Sequence, residues 1–325
     1  MNTQFQIENI AEGTEFHQII IKNIRTKEFI SILPALGARL NGAYLNSNGD
    51  LIPVLSALHS SDFKSNDELF NNAKLFPFAG RIRKGVYSFQ NQTYQLPLNY
   101  TEEENACHGF LYRKKFILKS KNIFENFAEV ELCCRSAEEC KGYPFSFIII
   151  VTYKISDTGK VKISTKVENL GSNQMLFSDG WHPYFTLGNS VDDLVVEFSG
   201  KEKIELNKFN VPTGSRLKLN DGFINKIEIA NKKLDDVFRL SSYSKTNEVN
   251  LVSKKTGITL NIWQESGTNK YNYLVLYTPP DRKSIAIEPI TSNIDSFNNK
   301  EDIIILNPGN IWSASYGFEL NKNNK

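Results

Sequence analysis

The sequence predicts an all-β protein, and three features carry that expectation. Short runs rich in β-branched and aromatic residues recur along the chain, separated by Gly, Asn, Asp and Ser. No G-x-G-x-x-G follows a strand, there is no Walker-type loop, and βα alternation is missing. No Pro/Gly/Ser-rich linker and no internal repeat divides the 325 residues, so a single domain over 1–325 is expected, at a size that large β domains reach.

The elements follow in order. "FISILPAL" from Phe29 reads as a buried strand. "SNDELFNNA", residues 65–73, is the best place for a short helix. "VYSFQNQTYQLPL" from Val86 reads as a hairpin, with Tyr87 and Phe89 sharing one face and Tyr94 and Leu96 on the returning strand. Asn91 in its turn tolerates left-handed geometry. "FAEVELCCR", "FSFIIIVTYKI" and "VKISTKVEN" alternate, and Asp157-Thr158-Gly159 marks the hairpin turn between the last two. "LVVEFSG", "EVNLVS" and "ITLNIW" complete the set.

Composition excludes several functions. Net charge is +2, from 38 basic and 36 acidic residues, which leaves no electrostatic footprint for nucleic acid. The N-terminus lacks a basic then apolar leader, and no run nears the roughly 20 apolar residues of a membrane span, so a cytoplasmic protein without membrane contact is expected. The four cysteines, Cys107, Cys133, Cys134 and Cys140, show no C-x-x-C spacing and no histidine cluster. They read as buried free thiols, with Cys133 and Cys134 facing opposite ways on one strand. Neither a metal site nor a cofactor is expected.

A few polar residues break the strand pattern. In "SIAIEPI", Ile285 and Ile287 point one way and Ser284, Ala286 and Glu288 the other, before Pro289 ends the run. A carboxylate on a strand face otherwise small fits a pocket floor, because a buried glutamate needs partners. "GWHPYF" holds His182 extended before Pro183. "CHGF" sets His108 before a glycine. Taken singly, each histidine reads more readily as a hydrogen-bonded structural residue, and Trp181, Tyr184 and Phe185 as core. Arg81 enters the hairpin after Gly80 and offers a rigid fork of donors, though a solvated arginine fits equally. Asp235 and Asp236 precede a strand, where a turn role is the simpler reading.

Together these stretches resemble the aldose 1-epimerase, or galactose mutarotase-like, family. The order is "FPFAGRIRKGVYSFQNQTYQLPLN", "HGF", "HPYF", "LDDVF" and "AIEPITSNIDSFN", and "SILPALGARLNGAYLNSNGDLIPVL" fits the opening strands. The resemblance implies a β-supersandwich with a concave sugar site. It implies Glu288 as general base and His182 as general acid, with Arg81, His108 and Asp236 binding sugar; Asp235 competes with Asp236 in that register. It implies a small-molecule sugar partner, a monomer or homodimer, and interconversion of the α and β anomers of a free aldohexose. A hexose-6-phosphate 1-epimerase, with Arg83, Lys84, Arg113 and Lys114 as candidate phosphate ligands, and a carbohydrate-binding protein without catalysis are the alternatives. Two positions depart from the family pattern: Gly80, where many relatives carry asparagine, and Asp179 in "FSDGW".

Overall fold

The computed structural model describes residues 4–59, 70–137, 140–188, 190–241 and 243–321. Every pairing between its strands is antiparallel. A 5-stranded sheet is built in sequence order from Phe5–Ile10, Gln18–Asn23, Phe29–Leu33, Arg39–Ser47 and Asp50–Pro53. A 16-stranded sheet runs from an edge at Ile117–Ile123 to an edge at Ala73–Leu75. Among the described residues, helix is limited to Ser296–Asn299 and two 3-10 turns, and none is long and apolar enough to cross a membrane. The protein is a β-sandwich, as its alternating runs predict. The helix expected over 65–73 falls mostly on 60–69, outside the described residues.

Alternation sets which faces pack. In Ser146–Ser156 every second side chain, from Phe147 to Ile155, is buried, and Phe127–Ala137 and Val161–Asn169 bury theirs in step. These faces meet Ile19, Ile21, Ile30 and Ile32 of the smaller sheet in one apolar cluster. The Val86 hairpin pairs Tyr87 with Tyr94, rings stacked at 5.1 Å. Its turn residues Gln90 and Asn91 both have positive φ, the geometry that two-residue hairpin turns need. The Gly159 turn also forms where expected. Cys134 is buried and Cys133 half-buried on opposite faces; all four thiols are free, and Cys140 is only half-buried.

Pro289 does not end its strand, which runs Ile285–Ile290. Ile287 and Thr291 donate to Pro183 and Asp179 on one edge, so the absent N–H of Pro289 faces that same sparsely bonded edge. Nor does Ala286 open space for a ligand directly. It is fully buried between its register partners Tyr184 and Tyr277, whose ring centroids lie 6.4 Å apart.

Candidate active site

The register of four strands assembles a cavity of about 350 Å³. Asp235–Leu240, Tyr273–Tyr277 and Ile285–Ile290 pair in series, and the last pairs with the chain at Gly180 and Tyr184. Side chains in register share a face. One row is therefore Val237, Val275 and Glu288; the next is Asp235, Tyr277, Ala286 and Tyr184. His182 lies between Gly180, opposite Ile290, and Tyr184, opposite Ala286, so continuing that register sets it across from Glu288. "GWHPYF" thus divides by parity. His182 and Tyr184 face the cavity, while Trp181 and Phe185 join the core.

His182 Nε2 stands 3.3 Å from Glu288 Oε1, and both side chains are almost fully buried. Tyr184 stacks on the imidazole at 4.9 Å, interplanar angle 14°, and fixes its plane. Burial pushes the Glu288 carboxyl well above the usual range; the Asp235 charge adds to this and Arg81 opposes it. Burial likewise pushes His182 down to about 3, against its own backbone hydrogen bond and with the help of Arg81 and Arg39. Burial therefore favours an uncharged pair, carboxyl plus imidazole, with one proton between them.

Arg81 and His108 stand above this floor. The Arg81–Arg83 and Asn105–Cys107 strands pair, with Cys107 opposite Arg81. His108 has φ 60, and its backbone N–H donates to Gly80 O at 2.9 Å. In return Gly80 N–H donates to His108 Nδ1 at 3.1 Å. Nδ1 is then the acceptor, so the neutral ring carries its proton on Nε2 as a donor. Burial, then the charges of His182 and Arg81, hold His108 well below the ordinary imidazole range.

Glycine also suits position 80, where a side chain would strain the backbone and press on Ile294. The Gly80 φ is +75°, and a Cβ there would meet Ile294 Cδ1 at 2.2 Å. Ile294 lines the cavity where a larger residue at 80 would project. Gly80→Ala is expected to lose about 1–3 kcal/mol through overpacking and backbone strain. Ile294→Ala removes a buried core side chain and is itself destabilising, so the comparison is with that variant alone: in its background Gly80→Ala should cost only the backbone part, read as the midpoint of urea unfolding. No cost in that background would show that the positive φ costs nothing.

The register reverses the expected order of the two aspartates. Asp235 lines the cavity with Val237, exposed at its rim. Asp236 turns to the other face, where Lys203 Nζ pairs with it at 2.7 Å. Even so, protein atoms crowd Asp235 enough to push its carboxyl up, against the Arg81 charge. Sequence reasoning missed Glu103, Tyr277 and Asn210, which also line the cavity. Among the described residues, no group of three or more His, Cys, Asp or Glu side chains is arranged to hold a metal.

Asp179 lies behind the cavity, not in it. It is fully buried with Lys74, whose Nζ is 2.5 Å from Oδ1. Tyr271 donates to Oδ2 at 2.7 Å, and Lys74 also donates to Gly180 O at 3.2 Å. The departure at 179 thus creates a core ion pair beneath the His182 strand.

The model for the family described as aldose 1-epimerase matches residues 24–319. The chain belongs to the aldose 1-epimerase family. The family match spans every cavity residue discussed above. Uncharacterized protein YihR of Escherichia coli K12 is 24% identical over 242 residues, 72% of this chain and 74% of that one. A galactose mutarotase-like protein from Clostridium acetobutylicum is similar in fold, with a TM-score of 0.84 at 22% identity over 98% of this chain and 99% of its own. Galactose 1-epimerase from Lactobacillus acidophilus gives 0.77 at 17% identity, over 99% of both chains.

Proposed function

We propose that the protein is an aldose 1-epimerase acting on a free aldohexose, with Glu288 and His182 as its proton-transfer pair. The observation that carries this is their 3.3 Å approach on the floor of a sugar-sized cavity. Ring opening needs a proton removed from the C1 hydroxyl and a proton delivered to the ring oxygen as the C1–O5 bond breaks. Rotation of the aldehyde and the reverse transfers then close the other anomer. Glu288 takes the C1 hydroxyl proton and His182 protonates the ring oxygen. Passing the shared proton from Glu288 to His182 generates the carboxylate and imidazolium that these roles require. Arg81 stabilises the carboxylate of this form, while its charge opposes the imidazolium. Donors on Arg81 and His108 Nε2, and the acceptor Asp235, orient the sugar hydroxyls.

The alternatives are less well supported. Of the cations expected to bind a 6-phosphate, Arg83 stacks on Phe209 at 3.7 Å and Arg113 lines a separate pocket. Neither they, Lys84 nor Lys114 lines the cavity, where Arg81 and Lys233 are the lysine and arginine side chains among the described residues. A protein that only binds sugar has no need of a buried carboxyl against an imidazole. Magnetisation transfer between the two C1 protons of each aldose, and of its 6-phosphate, tests the proposal. Exchange enhanced for free aldoses is expected; enhancement confined to the phosphates, or for none, overturns it.

The pH profile follows from the pair. Its active form carries one proton, so activity falls on gaining a second or losing the first. The second arrives near the lowered His182 value, about 3. The first is lost only above the ordinary carboxylate range, because burial raises Glu288. Between these limits kcat/KM should be flat, with its acid limb near 3 and no limb set by unshifted Glu288 at 4.5. A bell confined between 4.5 and 6.5, the values of unshifted groups, would show that the two titrate independently.

A further inference from the structure

We propose that Glu103 is a positioning residue for sugar binding, acting through Arg81 by holding its guanidinium in one orientation. The inference rests on the proposed sugar site. Glu103 Oε2 accepts from Arg81 Nε at 2.7 Å, and Oε1 accepts from Nη2 at 3.3 Å. This two-point fork fixes the guanidinium plane, which a single contact would leave free to turn. The Arg81 Nη1 donors have no hydrogen-bond partner among the described residues, and Arg81 lines the cavity. They remain available for sugar hydroxyls.

Glu103 also lines the cavity, yet it is poorly placed to bind sugar itself. Asn210 Nδ2 donates to Oε1 at 2.9 Å and Asn105 Nδ2 to Oε2 at 3.4 Å. With the two arginine bonds, each oxygen receives two donors, which exhausts the acceptor sites of a carboxylate. The fork therefore has a function only through the arginine it holds.

Its supports come from separate parts of the chain. Glu103 sits in the turn closed by reciprocal backbone bonds between Tyr100 and Asn105. Asn210 comes from the loop after Leu194–Leu206. Asn105 Nδ2 donates to Phe209 O at 2.7 Å, and Arg83 covers the Phe209 ring. One carboxylate thus joins the turn, the arginine strand and the loop at the cavity rim. Burial raises the Glu103 carboxyl, but the donors of Arg81, Asn210 and Asn105 outweigh it and leave it below its usual value, so it is ionised at neutral pH. It also offsets the Arg81 charge that faces Glu288.

The test is a double-mutant cycle on anomer exchange, with KM and kcat measured separately for wild type, E103Q, R81A and E103Q/R81A. E103Q keeps the shape but turns an amide toward the guanidinium. A rise in KM of about tenfold with a smaller change in kcat is expected, and no further rise when E103Q is added to R81A. Losses that multiply in the double variant would show that Glu103 acts apart from Arg81 and overturn the proposal. Unchanged kinetics with a lowered melting temperature would do the same, reducing Glu103 to a structural residue. Should E103Q fail to fold, Asn210→Ala loosens the fork from outside, and its effect should likewise vanish in the R81A background. If wild type exchanges no aldose anomers, the proposed activity fails. The same cycle is then read on the dissociation constants of the aldose panel by ligand-observed NMR, where coupling still supports positioning. Absence of aldose binding to wild type overturns both.

Discussion

Glu288→Gln is expected to slow anomer exchange by about 10²-fold or more while leaving the protein at least as stable as wild type. Glutamine fills the same volume opposite His182 but cannot accept and release the C1 hydroxyl proton. The stability result follows from the sign of the Glu288 shift. Its folded pKa is raised well above 4.5 by burial, so the folded state binds that proton more tightly than the unfolded chain does. Above the unfolded pKa the unfolded chain is favoured by releasing it, and stability falls with pH until the folded pKa is reached. Glutamine has no such proton. Activity lost and stability kept or gained at neutral pH is the pattern of a site held against folding preference. His182→Asn should lose a similar factor. The combined variant should lose little more than the worse single one, because one proton relay needs both members. A folded Glu288→Gln protein exchanging anomers at the wild-type rate would remove Glu288 from the chemistry and favour the sugar-binding alternative.

Much of this site is legible in sequence because strand parity is local. "HPYF" sends His182 and Tyr184 to one face and Phe185 to the other whatever the fold. "SIAIEP" flags Glu288 because a carboxylate among small and branched residues demands partners. What parity leaves open is which face is the cavity and which strands adjoin. Asp235 and Asp236 differ only in face, and the choice is decided by pairing with Tyr273–Tyr277, distant in sequence. Tyr277 and Asn210 reach the cavity through similarly long-range packing. Glu103 looks like any acid in the turn "TEEEN" until its fork with Arg81 is seen. Pro289 misled for a related reason: a proline stops a strand only where its missing N–H was needed, and edge bonding is a tertiary property. Gly80 and Asp179 stood out against the family pattern, but their meaning lies in Ile294 and Lys74, far along the chain.

The Lys74–Asp179 pair yields the sharpest stability prediction: its two single variants should respond to pH in opposite directions. Both side chains are fully buried, so removing either partner strands an ionisable group at a cost of about 3–5 kcal/mol. In Asp179→Asn the stranded group is Lys74. Burial lowers it to about 8 even with Asp179 present, and without that carboxylate it falls further. The unfolded lysine holds its proton up to about 10.4. Between those values the unfolded chain binds more protons, so stability rises with pH, by up to about 1.4 kcal/mol per unit. In Lys74→Met the stranded group is Asp179. Burial already raises it against the pull of Lys74 and Tyr271, and loss of the lysine raises it more. The unfolded aspartate releases its proton near 3.9. From there up to the folded value the native state binds more protons, and stability falls as pH rises. Combining Lys74→Met with Asp179→Leu should remove both slopes and recover most of the loss. It leaves the Tyr271 hydroxyl without its acceptor, a residual cost of about 1–3 kcal/mol. Urea unfolding of the three variants over a pH series reads all of this. Parallel slopes in the two single variants would mean that the stranded groups reach solvent, and that the pair is not the closed core contact its geometry describes.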